Sequence, residues 1–101
     1  MAFEIRFNEE KNQLLKATRG ICFEDVVEAI QNGNLLDDLD HPSPKFLHQH
    51  IYIVQISGYV YATPYVVNLT KREIFLKTIY PSRIYTKKYL KGGRNDKAKS
   101  K

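Results

Sequence analysis

Residues 50–80 constrain the fold most, because they contain three consecutive β-strand patterns separated by short turns. The segments His50–Ser57, Tyr59–Asn68 and Glu73–Tyr80 are rich in β-branched and aromatic residues, which favour strands. Gly58 predicts the turn between the first two. We expect an antiparallel meander, with Pro64 marking an edge position or a bulge because proline has no N–H to donate.

The first forty residues predict one strand, two helices and a second strand. Phe3–Phe7 alternates apolar and charged residues, which indicates a strand. Asn8 is a suitable N-cap for a first helix that Gly20 ends. A second helix is predicted over 23–32, with apolar residues at i, i+3, i+4 and i+7 and Gly33 after it. Asn34–Leu39 indicates a brief strand.

This order of elements predicts an α+β fold. We expect two N-terminal helices packed on one face of a three- to four-stranded antiparallel sheet, followed by a short C-terminal helix. The length of 101 residues fits one domain. Residues 1–90 are assigned to that domain, and residues 91–101 are predicted to form a basic disordered tail because they lack apolar side chains.

The predicted last strand carries apolar residues on both faces. Strict alternation places Phe75, Lys77 and Ile79 on one face and Ile74, Leu76, Thr78 and Tyr80 on the other. Lys77 should open onto solvent, since an unpaired lysine is costly to bury. We therefore expect helices to cover one face of the sheet and a partner to cover part of the other.

Charge is distributed unevenly along the chain. Residues 1–40 carry four basic and nine acidic side chains, residues 41–90 carry seven and one, and residues 91–101 carry five and one. The net charges are therefore −5, +6 and +4. Within the basic part, Arg83, Lys87 and Lys88 alternate with three tyrosines, Tyr80, Tyr85 and Tyr89. Cations suit phosphate oxygens and phenol rings stack on bases, so the cluster indicates a polyanion-binding surface.

Several classes of protein are excluded or disfavoured by the sequence. It holds no glycine-rich phosphate loop, dinucleotide fingerprint or nucleophile elbow. A single cysteine, Cys22, excludes an internal disulfide. The apolar runs are too short to cross a bilayer and the start lacks a signal-peptide core, so we expect a cytoplasmic protein without a membrane contact.

Three histidines, His41, His48 and His50, fall within ten residues. His48 and His50 would share one face of a strand as a two-point metal site, but a third ligand is not evident, and we predict no metal and no cofactor. A histidine near Lys45, Lys77 and Arg83 would instead suit general acid–base chemistry on RNA, which needs no metal.

The chain resembles the BrnT family of toxins, which belongs to the RelE-like ribonuclease superfamily. That family opens with a strand ending in Trp-Asp, a lysine three residues on, and then His-Gly-Val-Ser-Phe-Glu. The corresponding residues here are Phe7-Asn8, Lys11 and the segment Arg19-Gly20-Ile21-Cys22-Phe23-Glu24. The family's acidic residue followed by histidine corresponds to Asp40-His41, and its final small residue and arginine before a basic helix correspond to Ser82-Arg83. The resemblance covers roughly residues 3–90.

Four positions depart from the family pattern. Phe7 replaces tryptophan, Asn8 replaces aspartate, Arg19 replaces histidine and Cys22 replaces serine. These changes indicate a divergent branch.

The resemblance implies the toxin of a bacterial type II toxin–antitoxin system, a metal-independent endoribonuclease that cleaves mRNA and inhibits translation. Its partners would be RNA, free or on the ribosome, and a small ribbon-helix-helix antitoxin through which alone it would reach operator DNA. The catalytic residues are predicted as Arg83, Lys77 and His41, with Arg83 as phosphate clamp. The predicted substrate-binding residues are Lys45, His48, Tyr85, Lys87 and Lys88.

Two alternatives remain open at this point. One is a non-catalytic module that binds RNA or an acidic protein through the basic segment 41–90. The other is an inactive toxin relative that acts as a co-repressor with its antitoxin. The fold alone does not imply toxicity.

Overall fold

Within residues 3–40 and 49–92, six strands and three helical segments are present, which confirms the α+β class. The computed structural model describes residues 3–40 and 49–92. The elements are β1 (Glu4–Phe7), α1 (Glu9–Arg19), α2 (Phe23–Gln31), β2 (Leu35–Asp40), β3 (Gln49–Ile56), β4 (Tyr59–Asn68), β5 (Glu73–Leu76), β6 (Tyr80–Pro81) and α3 (Arg83–Thr86). A π-helix, Lys87–Gly92, continues directly from α3. We call residues 83–92 the C-terminal helix.

The sheet is mixed and has six strands, so the prediction of three to four antiparallel strands was wrong. Its order is β1-β5-β4-β3-β2, and β6 pairs with β4 on the same side as β5. β1 runs parallel to β5, with Ile5 opposite Ile74 and Phe7 opposite Leu76. The other strand pairs are antiparallel. The first strand therefore joins the sheet beside one of the last.

Pro64 lies in a central strand without a bulge, so the prediction of an edge position or a bulge was also wrong. It pairs with Ile51 in β3, and its carbonyl accepts a hydrogen bond from the Lys77 backbone N–H at 2.8 Å. In an antiparallel strand the nitrogen and the carbonyl of one residue point to the same side. The nitrogen of Pro64 therefore points towards the gap between the end of β5 and the start of β6. Because proline has no N–H, it cannot complete a ladder on that side. This interruption divides the predicted strand over Glu73–Tyr80 into β5 and β6.

The division also changes which side chains share a face. Strict alternation placed Ile79 with Phe75 and Lys77, but Ile79 is fully buried in the same core as Leu76. Residues 77–79 are not in a strand, so the alternation of faces does not carry through them.

α1 begins after its predicted N-cap and ends at its predicted stop, whereas α2 covers Phe23–Gln31 rather than the predicted 23–32. The Asn8 side chain accepts a hydrogen bond from the Lys11 backbone N–H at 2.8 Å, and Gly20 ends α1 with a left-handed φ of 68°. A side chain at Gly20 would be strained in that conformation. Along α1, Leu15 is buried, whereas Leu14 is 56% exposed.

Asn12 joins the two N-terminal helices from a fully buried position. Its Oδ1 accepts a hydrogen bond from the Phe23 backbone N–H at 2.6 Å, and its Nδ2 donates to Glu24 Oε1 at 2.9 Å. The first bond satisfies a backbone donor at the start of α2 that has no partner within the helix. The ring of Phe23 stacks on Phe7 with centroids 5.0 Å apart.

Two hydrophobic cores lie on opposite faces of the sheet. The first core lies between the sheet and α1 and α2 and is built by Leu15, Ile21, Phe23, Val26, Ala29, Tyr52, Val54, Tyr65, Leu76 and Ile79. The second core contains Ile51, Ile53, Val60 and Ala62, with Tyr85, Tyr89 and Leu90 packed against it. The C-terminal helix thus covers part of the face for which a partner was expected.

Candidate nucleic-acid interface

The C-terminal helix leaves part of its sheet face uncovered. The register places Arg6, Phe75 and Val66 in one row across β1, β5 and β4 on that face, with Pro64 next to them. Phe75, Val66 and Pro64 are half-buried, whereas Arg6 is exposed. We call this surface, together with Lys77, the open face.

Lys77 belongs to the open face and directly follows β5. Its side chain is exposed, as the sequence predicted, and its ammonium nitrogen lies 5.7 Å from the centroid of the Phe75 ring. At that distance the cation is attracted by the ring face. The arrangement puts an aromatic surface and a positive charge side by side, which suits a base and its phosphate.

Arg83 begins the C-terminal helix and is exposed. Ser82 caps the helix, since its Oγ accepts a hydrogen bond from the Tyr85 backbone N–H at 3.1 Å. The backbone N–H of Ser82 donates to the Val60 carbonyl at 2.9 Å, so the start of the helix is fixed to the beginning of β4. Arg83 makes no side-chain hydrogen bond or ion pair within residues 3–40 and 49–92.

The remaining predicted residues of the helix divide into two groups. Lys87 and Lys88 are exposed, and the Lys88 ammonium lies 5.3 Å from the Tyr89 ring centroid. Tyr85 is half-buried and packs against the second core. Its ring therefore contributes to the attachment of the helix, while the two lysines face solvent.

Polar contacts of Thr86 and Tyr89 also hold the C-terminal helix on the sheet. Thr86 is buried, and its Oγ1 accepts from the Val60 backbone N–H at 3.0 Å and donates to the Ser82 carbonyl at 2.7 Å. Tyr89 donates its hydroxyl hydrogen to Asp37 Oδ2 at 2.7 Å. Burial, followed by the bond to this carboxylate, raises the pKa of Tyr89 to about 12, and the same bond lowers the pKa of Asp37.

Lys77 and Arg83 both lie along the edge of β4 that pairs with β5 and β6, but at different positions along that strand. Lys77 is bonded at Pro64, and Ser82, next to Arg83, is bonded at Val60. A strand rises about 3.3 Å per residue, so these attachments lie roughly 13 Å apart along β4. An extended RNA strand along this side would meet both cations.

His41, Lys45 and His48 lie outside the described residues. The segment that holds them connects Asp40 to Gln49, and its described flanks carry one ion pair, from His50 Nδ1 to Asp40 Oδ1 at 3.1 Å. The His50 ring lies 5.4 Å from that of Tyr65 and belongs to the face of the first core. His50 and Lys77 are therefore on opposite faces of the sheet.

Strict alternation placed Phe75 and Lys77 on one face, but Arg6 was not predicted to lie beside them. Arg6 becomes a neighbour of Phe75 only because β1 pairs with β5 in parallel. The single signal in the sequence is the alternation in Phe3–Phe7, which places Arg6 on the face opposite to Ile5 and Phe7.

The fold and this surface define an α+β domain with a basic, partly aromatic sheet face. Comparisons with protein-family models, with curated proteins and with solved structures give no match. Among the helices of the described residues, none has the length and apolar character needed to cross a membrane.

Proposed function

We propose that the chain is a metal-independent endoribonuclease of the toxin–antitoxin type, which binds RNA on the open face and along the C-terminal helix. One observation carries the proposal. Lys77, Arg83, Lys87 and Lys88 are all exposed on this side of the sheet, and none of them forms an ion pair with a carboxylate within the described residues. Unpaired cations beside a half-buried aromatic ring suit phosphates and bases.

The acidic residues of the chain support the same assignment by their placement. Those of α1 and α2 lie across the sheet from the open face, and the described acidic residues beyond them lie on β1, β2 and β5. Near the open face, Glu4 and Glu73 are engaged with Arg6. An approaching polyanion thus meets a positive field on one side of the molecule.

The proposed reaction is the attack of a ribose 2′-hydroxyl on the adjacent phosphorus. A base removes the hydroxyl proton, the new P–O bond forms, and the 5′-oxygen leaves with a proton from an acid, which produces a 2′,3′-cyclic phosphate and a 5′-hydroxyl. Arg83 would stabilise the additional negative charge on the phosphorus oxygens, while Lys77, whose attachment to β4 lies roughly 13 Å away, would hold the phosphate of a neighbouring nucleotide. His41 is proposed to exchange the protons because of its match to the family pattern.

The first experiment is cleavage of a labelled messenger RNA in EDTA, with and without ribosomes. The Arg83→Ala variant should lose about a hundredfold or more of the cleavage rate, as expected for one donor to a developing anion. Its affinity for RNA should fall modestly, with a salt dependence shallower by about one. The control is Lys16→Ala, which removes an exposed cation of α1 from the other side of the sheet and should change neither quantity.

A second candidate function is RNA binding without cleavage. It is favoured by the separation of Lys77 and Arg83 and by the position of His50 on the opposite face, because no described histidine lies near the cations. RNA that is bound by the wild-type protein but never cut, with or without ribosomes, would establish this candidate and reject the ribonuclease. Equal cutting by wild type and Arg83→Ala would reject the residue assignment.

The proposed protein partner is a small antitoxin, and the outer side of the C-terminal helix suits such a contact. Ile84 is 77% exposed and Tyr80 is 39% exposed, close to Arg83 and Lys87. Apolar side chains among cations fit an acidic amphipathic segment. Co-purification with the product of a neighbouring gene tests the proposal, and the Ile84→Glu variant, which puts a carboxylate on this surface, should lose the partner.

A further inference from the structure

A cavity of about 380 Å³ opens at the end of the open face where β1, β5 and β4 meet. It is lined by Arg6, Phe7, Val66, Asn68, Glu73 and Phe75. Its volume falls within the range of small-molecule sites, and its lining is about evenly divided between apolar and polar side chains. The cations proposed to bind RNA do not line it.

The polar groups of the cavity form a donor and an acceptor side by side. Arg6 Nη1 lies 3.5 Å from Glu73 Oε2, and the Glu73 side chain is only 28% exposed. The Asn68 Oδ1 already accepts from the Lys71 backbone N–H at 3.0 Å. The two amide hydrogens of Asn68 therefore remain as donors without a partner among the described residues.

This set of groups matches a guanine better than the other bases. A guanidinium donates to O6 and N7 of guanine, which is the commonest specific arginine contact to a base. A carboxylate beside it accepts from the N1–H and the N2 amino group, two donors that adenine does not offer together. Phe75 and Val66 supply the apolar surface on which a base stacks.

The surroundings of the cavity suit the rest of a nucleotide. Lys77 lies over the Phe75 ring at 5.7 Å, and Lys71 and Arg72 are exposed in the turn that follows Asn68. A nucleotide whose base stacks on Phe75 would have its phosphates close to these cations. We infer that the cavity is a guanine-binding subsite, which selects the position at which RNA lies on the open face. As a preference for RNA, this inference rests on the proposed function.

Nucleotide binding tests the subsite without relying on cleavage. Guanosine 5′-monophosphate and adenosine 5′-monophosphate are titrated into the full chain, and amide chemical shifts are followed by NMR. Guanosine monophosphate should bind about tenfold more tightly, as expected for one good bidentate base contact. The shifts should centre on Val66, Asn68 and Phe75.

Two matched variants define the role of the carboxylate. Glu73→Gln should bind guanosine monophosphate more weakly and keep only the part of the preference that Arg6 provides, because an amide oxygen replaces the carboxylate that accepts from both guanine donors. Glu4→Gln removes the other carboxylate near Arg6, 3.8 Å from Nη1, from outside the cavity, and should keep the preference. Phe75→Leu should weaken both nucleotides alike, and its unchanged urea midpoint would show that the fold is intact.

Three results would overturn the inference: equal binding of the two nucleotides by wild type, shifts centred elsewhere, or a preference that is undiminished in Glu73→Gln. The outcome is separable from that of the proposed function. Guanosine monophosphate selectivity in a protein that cuts no RNA would reject the ribonuclease and keep the subsite. RNA cleavage by a protein that neither prefers guanine nor binds the nucleotides would support the ribonuclease and reject the subsite.

Discussion

The two faces of the sheet differ in how completely the chain covers them. On the first face, α1 and α2 bury a continuous core and are joined by Asn12, which has no exposed surface. On the second, the ten-residue C-terminal helix covers β2, β3 and half of β4 and leaves Phe75 and Lys77 accessible. The difference indicates a division of roles, in which the closed face supplies stability and the open face offers a binding surface.

The same contrast holds for the polar contacts on each face. On the closed face Tyr52 and Tyr65 stack at 3.9 Å, and the Tyr65 hydroxyl donates to Asp38 Oδ1 at 2.6 Å. Burial is the main reason that the pKa of Tyr65 is raised. On the other face of the sheet, the Tyr89 hydroxyl makes a similar bond to Asp37 Oδ2, but the Tyr89 side chain is only half-buried. The two tyrosine–aspartate hydrogen bonds should therefore differ in how much they contribute to global stability.

The largest effect is expected from Asn12→Leu on the closed face. The substitution leaves the backbone N–H of Phe23 buried without a partner, which should lower the free energy of unfolding by about 3 kcal/mol. Urea denaturation measures this loss. The neighbouring Gln13→Leu removes an exposed bond to Glu9 Oε2 of 2.7 Å and should change stability by less than about 0.5 kcal/mol. Equal urea midpoints for Asn12→Leu and wild type would contradict the linking role.

A smaller and local effect is expected from Tyr89→Phe on the open side. Loss of the hydrogen bond to Asp37 should weaken the attachment of the C-terminal helix by about 1.5 kcal/mol. Amide hydrogen exchange should therefore accelerate in residues 83–92 and stay unchanged in α2. Tyr85→Phe is the matched control, since the Tyr85 hydroxyl has no hydrogen bond within the described residues. Uniform acceleration across both helices would show that the two faces are not independent.

The same bond predicts a pH dependence for the C-terminal helix. The pKa of Tyr89 rises from its ordinary 10.0 to about 12 in the folded protein. Its stabilising contribution is therefore complete below pH 10 and is lost as the pH rises from 10 towards 12. Asp37 has a lowered pKa, so its contribution is present above about pH 4 and is lost on further acidification. Subtracting the exchange profile of Tyr89→Phe from that of wild type isolates both changes.

Local signals were enough to predict the two N-terminal helices and the strands β3 and β4. The N-cap Asn8, the stop at Gly20 and the turn at Gly58 act within a few residues, and the structure has elements beginning or ending at each. The parallel pairing of β1 with β5 joins distant segments, so periodicity could not reveal it. The consequence of Pro64 for the last strand also required knowledge of which strand lies beside it.

The candidate site shows the same limit. Exposed cations such as Lys77 and Arg83 could be predicted from charge, because solvation governs where unpaired lysine and arginine lie. Alternation also placed Phe75 on the face of Lys77, and the Lys77 ammonium lies over that ring. The neighbourhood of Arg6 with Glu73 depends on tertiary pairing. The sequence therefore predicted Lys77 and Phe75 on one face and missed Arg6.

The smallest effect is predicted for a threonine-to-valine substitution, which can be compared on the two faces of the sheet. Thr63 lies fully buried in β4, and its hydroxyl has no hydrogen-bond partner among the described residues. Thr63→Val keeps the branched shape and removes an unsatisfied polar group, so it should raise the free energy of unfolding by about 0.5–1 kcal/mol.

The control is Thr86→Val in the C-terminal helix, where the hydroxyl makes two hydrogen bonds, one from Val60 at 3.0 Å and one to Ser82 at 2.7 Å. That change should instead destabilise the protein, because the buried Val60 N–H loses its acceptor. Urea midpoints that move in opposite directions would support the assignment of both hydroxyls. A Thr63→Val midpoint below that of wild type would mean that the Thr63 hydroxyl is bonded in solution, since valine leaves the packing volume nearly unchanged.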